Sequence, residues 1–255
     1  MSSDDQFPAH DVLDWYTNAE SMLADFLEYV PYCDSHEGVW SPKLVTILQE
    51  TCSQVDSLWR WEAVHTYKRG ADSLDITDYF ELYGEMLAKM WLICWADEPR
   101  QIAPFATWQH AGEFKKEKYT PLDWWKNGYQ KIKHNRLENR TCATVKHTAN
   151  ALAALFLAIV RMEGCWDGLW EKGWLSWDDS AGTPFNPFEC LKEDLGLLKD
   201  ETRCASVQMV IESKLFAYGV GLCSGFVDPK KEMPHWKGNS SRRFKAWYYN
   251  HCQNL

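Results

Sequence analysis

Ten consecutive apolar residues, 151–160, stand between Asn150 and Arg161 and constrain the whole chain. A membrane span needs about 20 such residues, so the run predicts a buried core helix. Its pattern extends over 141–162, with Val145, Thr148, Ala149, Leu152, Leu155, Phe156 and Ile159 on the buried face. Upstream, Thr120-Pro121-Leu122-Asp123 reads as a helix start: a capping Thr, a proline next, an acid in the first turn. A helix over 121–136 should follow. The short linker between the two helices predicts antiparallel packing.

Three amphipathic helices are expected in the first 95 residues. The first is capped by Asp11 and buries Val12, Trp15, Ala19, Met22, Phe26 and Val30. Ser41-Pro42 opens the second, whose stripe is Leu44, Leu48, Cys52, Val55, Leu58 and Trp59. The third starts at Asp75 or Thr77 and runs through Tyr79, Tyr83, Met86, Leu87, Met90, Trp91 and Cys94. Residues 96–119 lack a clear period and read mostly as loop. Residues 165–188 read as an aromatic-rich loop wrapped on the bundle. A short hairpin is expected within 204–226, where Val207, Met209 and Ile211 alternate with Ser206, Gln208 and Val210. The glycine-rich stretch 219–225 reads as a turn.

The expected fold class is therefore all-α, a helical bundle over 1–163 with an aromatic-rich extension over 164–255 holding a short β-hairpin. The nine Cys are widely spaced and odd in number, and no CxxC occurs. They read as reduced thiols, mostly in the core, with no metal site. The sequence has no GxxxxGK[ST], no GxGxxG and no HExxH, so no cofactor is expected. The first residues, MSSDDQFPAHD, are acidic and carry no apolar stretch, which points to a cytoplasmic protein without a membrane partner.

Charge is unevenly spread. The chain carries a net −9, yet 115–147 holds nine Lys or Arg against three acids, a net +6. The remainder then carries −15, since −9 minus +6 is −15. A second basic segment, 229–255, sets Lys230, Lys231, Lys237, Arg242, Arg243 and Lys245 against Glu232, with Trp236, Phe244, Trp247, Tyr248 and Tyr249 interleaved. Cations neutralise phosphate and aromatic rings stack on bases, so such mixtures suit single-stranded nucleic acid. The competing reading is a solvated face beside aromatic core residues.

The distinctive stretch is Trp124-Trp125-Lys126-Asn127-Gly128-Tyr129-Gln130-Lys131-Ile132-Lys133-His134-Asn135-Arg136. Together with the helix that follows, and with Phe26 to Pro31, Trp40 to Leu44 and Cys52 to Asp56, it resembles a group of uncharacterised bacterial proteins. Their mark is a Trp-Trp pair followed by YxxIKHxR, and they belong to the all-helical HEPN superfamily. The resemblance covers roughly residues 20–163. It implies an RNA-directed protein: a metal-independent endoribonuclease of bacterial stress response, phage defence or toxin–antitoxin systems, acting as a homodimer with a composite site. A protein partner in a defence system is the other implied contact. RNA cleavage requires the 2′-hydroxyl to lose a proton and attack phosphorus. A His can move protons near neutral pH, and a fixed cation can stabilise the added negative charge.

The HEPN signature places an Arg five positions before the His, where this chain has Tyr129, followed by Gln130. The implied catalytic set is therefore His134 with Lys131, Arg136 and Arg140. Asn127, Lys133, Lys146 and His147 are the expected nucleic-acid contacts. On a regular helix Asn127, Lys131 and His134 share a face. Trp124, Trp125, Tyr129 and Ile132, at helical spacing, read as core. Arg60–His65 and Arg140–His147 match a looser Arg-x(4–6)-His spacing. Arg60 reads as a surface residue, whereas Arg140 adjoins the KIKHNR stretch. The alternative function is a non-catalytic helical module that binds a partner protein or RNA, motivated by Tyr129 and the Trp-rich segment.

Overall fold

The computed structural model describes residues 7–70, 74–96, 98–111, 119–177, 187–195 and 209–220, and positions 243, 244 and 247. At its centre is helix α6, Val145–Arg161, in which every residue from 151 to 160 is at most 1% exposed. Thr144 caps it, its hydroxyl accepting from the His147 N–H at 3.2 Å. A helix apolar on all sides must be enclosed on all sides. Here α1 (Ala9–Leu27) and α2 (Pro42–His65) pack against it, as do a helical segment over 124–134 and a β-sheet.

The start signals of two helices act as the sequence predicts. The Ser41 hydroxyl accepts from the Leu44 N–H at 3.2 Å, with Pro42 at the first helical position of α2. Asp75 caps α3 (Ile76–Leu87) in a reciprocal box with Asp78. In α1 the buried face is turned from the expected stripe. Val12, Leu13, Tyr16, Ala19, Leu23 and Leu27 are buried, whereas Trp15 is 51% exposed. The residue preceding α1 is Pro8, and Asp11 lies inside its first turn instead of capping it.

The all-α expectation is corrected by a five-stranded antiparallel sheet ordered β2-β1-β5-β4-β3. Its strands are β1 (Leu92–Trp95), β2 (Pro99–Ile102), β3 (Leu175–Trp177), β4 (Met209–Glu212) and β5 (Phe216–Gly219). Three of these lie where a helix or loop was expected. The third helix ends at Leu87, so Cys94 belongs to β1. Leu-Ile-Cys-Trp is a continuous apolar run, which fits a buried strand as well as a helix, and its burial is complete. The expected loop 96–119 contains β2, and the aromatic segment contains α7 (Trp166–Glu171) and β3. Helix α8 is Pro187–Asp194. The hairpin does form, as β4–β5, but as the middle of a sheet: Ile93 pairs with Ala217 and Cys94 with Phe216. Pairing of β1 with β5 joins the two ends of the chain into one layer across position 163.

That layer lies on α6 and α1. The Phe216 and Phe156 rings are 6.0 Å apart, and Phe156 also meets Tyr16 and Trp174. Glu20, buried on α1, fastens the β4–β5 turn. Its carboxylate accepts from Ser213 Oγ at 2.5 Å, from the Leu215 N–H at 2.9 Å and from the Tyr16 hydroxyl at 2.9 Å. On the other side of α6, Arg161 pairs through both guanidinium nitrogens with Glu62 of α2 and lies 4.3 Å from the Tyr83 ring centroid. Burial lowers the Arg161 pKa to about 9. Among the described cysteines all are free thiols, with Cys52, Cys94 and Cys165 buried. No single helix among the described residues is long and apolar enough to cross a membrane.

Candidate nucleic-acid interface

The segment expected as one helix over 121–136 is helical from Asp123 to His134, in two registers. Trp124–Gln130 is a π-helix, and Lys131–His134 (α4) returns to α geometry. Such wide turns are uncommon and concentrate at functional sites. Trp124, Trp125, Tyr129 and Ile132 all face the core, as their spacing predicts. Burial pushes the Tyr129 phenol up to about 12, so at the position where the HEPN signature has its Arg this chain carries a neutral core ring.

Gly128 explains how closely the wide turn approaches α6. A Cβ there would meet His147 Cβ, Cγ and Nδ1, each at 3.2 Å. His147 is held at both ends of its ring. Nδ1 is 2.7 Å from the Cys142 carbonyl and Nε2 is 3.0 Å from Asp123 Oδ2. A carbonyl only accepts, so Nδ1 carries a hydrogen. Asn127 Nδ2 donates to Asp123 Oδ1 at 2.6 Å. This bond, then that from His147, with the charges of His147 and Lys146, lowers the Asp123 pKa against a smaller opposing effect of burial. Asn127, Asp123 and His147 thus form a strut between the π turn and the start of α6. Neither ring nitrogen of His147 is open to a phosphate.

After His134 the chain turns the corner. Asn135 caps the one-turn helix α5, Arg136–Asn139, accepting from the Glu138 N–H at 3.3 Å. Asn139 Nδ2 donates to the Lys131 and Asn135 carbonyls at 3.0 and 3.1 Å, closing the end of α4. Arg140 Nη1 donates to the Leu137 carbonyl at 2.6 Å, and its Cζ lies 5.7 Å from the centroid of Trp40.

The first N–H groups of α6 are already used. Val145 donates to the Val39 carbonyl at 2.8 Å, Lys146 to the Glu37 carbonyl at 3.1 Å and His147 to Thr144. The helix N-terminus is therefore no anion seat.

Basic side chains are abundant at this corner. Lys126, Lys131, Lys133, Arg136, Arg140 and Lys146 are all exposed, against one acid, Glu138, within 126–147. Lys146 is paired with Glu37 at 2.7 Å, and Lys133 lies 5.5 Å from the Tyr129 ring centroid. Lys131, Arg136 and His134 have no ion pair among the described residues, and His134 is exposed at the end of α4. The implied catalytic set is thus divided. Lys131 and His134 begin and end α4 and Arg136 begins α5, while Arg140 lies over Trp40 beyond α5.

Sequence reasoning missed Asp123 as the anchor of His147 and Asn127, Glu37 as the partner of Lys146, and Trp40 as the ring beneath Arg140. Only Asp123 carried a local signal, as the acid after Thr120-Pro121. In the second basic segment, of which only 243, 244 and 247 are described, Phe244 and Trp247 are buried. Arg243 Nε donates to Glu212 at 2.6 Å, and its Nη1 and Nη2 donate to the Lys214 and Ser213 carbonyls. No family model, no curated protein and no solved structure matches this chain.

Proposed function

We propose that the basic corner 126–147 binds RNA through its phosphates. The observation that carries this reading is the exposure of Lys131, Lys133 and Arg136 around His134 with a single acid nearby, in a chain whose net charge is −9. An acidic protein that keeps one face this basic gathers polyanions there and repels them elsewhere. The resemblance stated above supports RNA as the polyanion and stress or phage defence as the setting.

A second reading follows from His134. Its imidazole is exposed, has no acid partner among the described residues, and lies beside cations. In metal-independent cleavage the imidazole takes the 2′-hydroxyl proton while O2′ bonds to phosphorus. The P–O5′ bond breaks, leaving a 2′,3′-cyclic phosphate, and the 5′-oxygen departs with a proton returned by the imidazolium directly or through water. Lys131 and Arg136 would stabilise the added charge on phosphorus.

The test is binding of labelled RNA at several salt concentrations. Changing Lys131, Lys133 and Arg136 to Gln together should make the log affinity–log salt slope shallower by about 2, at about 0.7 per contact on single strands. An unchanged slope overturns the RNA surface. Cyclic-phosphate ends that vanish in His134→Ala, with binding retained, support cleavage. Binding without such ends favours the non-catalytic module.

A further inference from the structure

We propose that Trp40 and Arg140 form a stacking seat for an unpaired base, so that the nucleic acid held at this corner is single-stranded RNA. The inference rests on the RNA reading above and deepens it. Trp40 is 37% exposed, one of few large apolar side chains among the described residues left open to solvent. Its backbone is fixed. Trp40 bridges to Thr144, and the neighbouring Val39 and Glu37 carbonyls receive the first N–H groups of α6. The Trp40 backbone is therefore held against the start of α6, with Arg140 over its indole. Arg140 is pinned as well, by its bond to the Leu137 carbonyl, with its guanidinium 5.7 Å from the indole centroid.

A partly exposed indole with a pinned guanidinium over it forms a cation–π pair on which a nucleobase can stack, while lysines of the same corner meet the phosphates. A duplex cannot use such a seat, because its bases are already stacked on each other and its outer surface presents backbone. Lys146, paired with Glu37, adds a cation at the start of α6, and Lys131 and Arg136 are exposed on α4 and α5.

Fluorescence anisotropy with four end-labelled probes tests this: a 12-mer oligo(U), an abasic backbone of equal length, a 12-bp RNA duplex and oligo(dU). The wild-type chain should prefer oligo(U) to both the duplex and the abasic strand. Trp40→Ala should weaken oligo(U) binding by about tenfold, within the range of one lost base stack, and leave the abasic strand unchanged. Trp40→Leu, which keeps apolar bulk, should show the same loss, and Trp40→Phe should restore most of the affinity. Thermal melting of each variant establishes that it is folded.

Equal binding of duplex and oligo(U), or unaltered oligo(U) binding by both Trp40→Ala and Trp40→Leu, overturns the seat and leaves the RNA surface standing. Weaker oligo(dU) binding supports RNA as the ligand, and equal oligo(dU) binding overturns that assignment. If the wild-type chain binds none of the probes, the surface and the seat both fall.

Discussion

Two basic, aromatic-rich stretches look alike in the sequence, and 126–147 in one differs in the fold from Arg243 in the other. Around 126–147 the cations stand outward, and the nearby rings Trp124, Trp125 and Tyr129 are buried beneath them. At Arg243 the cation remains exposed but is tied down. It binds Glu212 and two carbonyls of the β4–β5 turn, and lies 4.6 Å from the Trp95 ring centroid. The difference is the presence of an acid opposite. Glu212 is largely buried, and its pKa is raised by that burial despite the pull of Arg243. Arg161 goes further still, enclosed with Glu62 in the core. A basic residue therefore points to a ligand only after the fold has been asked whether it already has a partner.

The largest test of this contrast is at the buried pair. Glu62→Ala strands Arg161 in the interior and should destabilise the fold by about 3–5 kcal/mol, read by denaturant unfolding. Exchanging both residues for a pair of apolar residues of similar volume should recover much of that loss, because the cost lies in the unpaired charge. If Glu62→Ala unfolds within about 1 kcal/mol of wild type, the pair is not what keeps Arg161 charged in the core.

A smaller effect is expected at the sheet. Arg243→Ala leaves Glu212 and two turn carbonyls without their donor and should cost about 1–3 kcal/mol. RNA affinity should not change, the reverse of the pattern expected for Lys131, Lys133 and Arg136. The Glu212 pKa is already raised, and losing Arg243 raises it further. The gap between variant and wild type should therefore be widest at pH above both raised values and narrow as pH falls through them, still above the ordinary Glu value of 4.5, and Glu212 takes up a proton. An RNA defect in Arg243→Ala would merge the two basic regions into one surface.

What the sequence made legible follows the range of the interactions. The all-apolar run of α6, Ser41-Pro42 and Asp75 are local signals, and each forms the element it predicts. The strands were hidden because each has only three or four residues. Leu92–Trp95 has no alternation, and its pairing with Phe216–Gly219 is a contact between distant parts of the chain. In α1 the expected stripe slipped because Trp15, Met22 and Phe26 outweighed Leu13, Tyr16 and Leu23, which are the residues that reach the core. At the candidate site the cations and His134 could be read directly. The strut could not, because Asp123 and His147 are joined only after the helical hairpin has closed. The π turn was equally hidden, since it is the near contact of Gly128 with His147 that shows why the wide turn can lie so close to α6.

The smallest expected effect separates the two histidines of the corner. His134 stands free of any acid among the described residues, whereas His147 is tied to Asp123. Asp123 is mostly exposed, so its removal in Asp123→Ala should cost only about 0.5–1 kcal/mol of stability. The sign with pH is fixed by the lowered pKa of Asp123. A carboxylate favoured in the fold contributes its full share above the ordinary Asp value of 3.8 and loses it as pH falls through the lower folded value. The part of the stability difference between wild type and Asp123→Ala that depends on the Asp123 proton should therefore close only in that acid range. A double-mutant cycle with His147→Ala should return a coupling of about 0.5 kcal/mol, while the same cycle with His134→Ala should return none. Coupling to His134 instead would mean that the corner rearranges, and that His134 and not His147 holds the hairpin together.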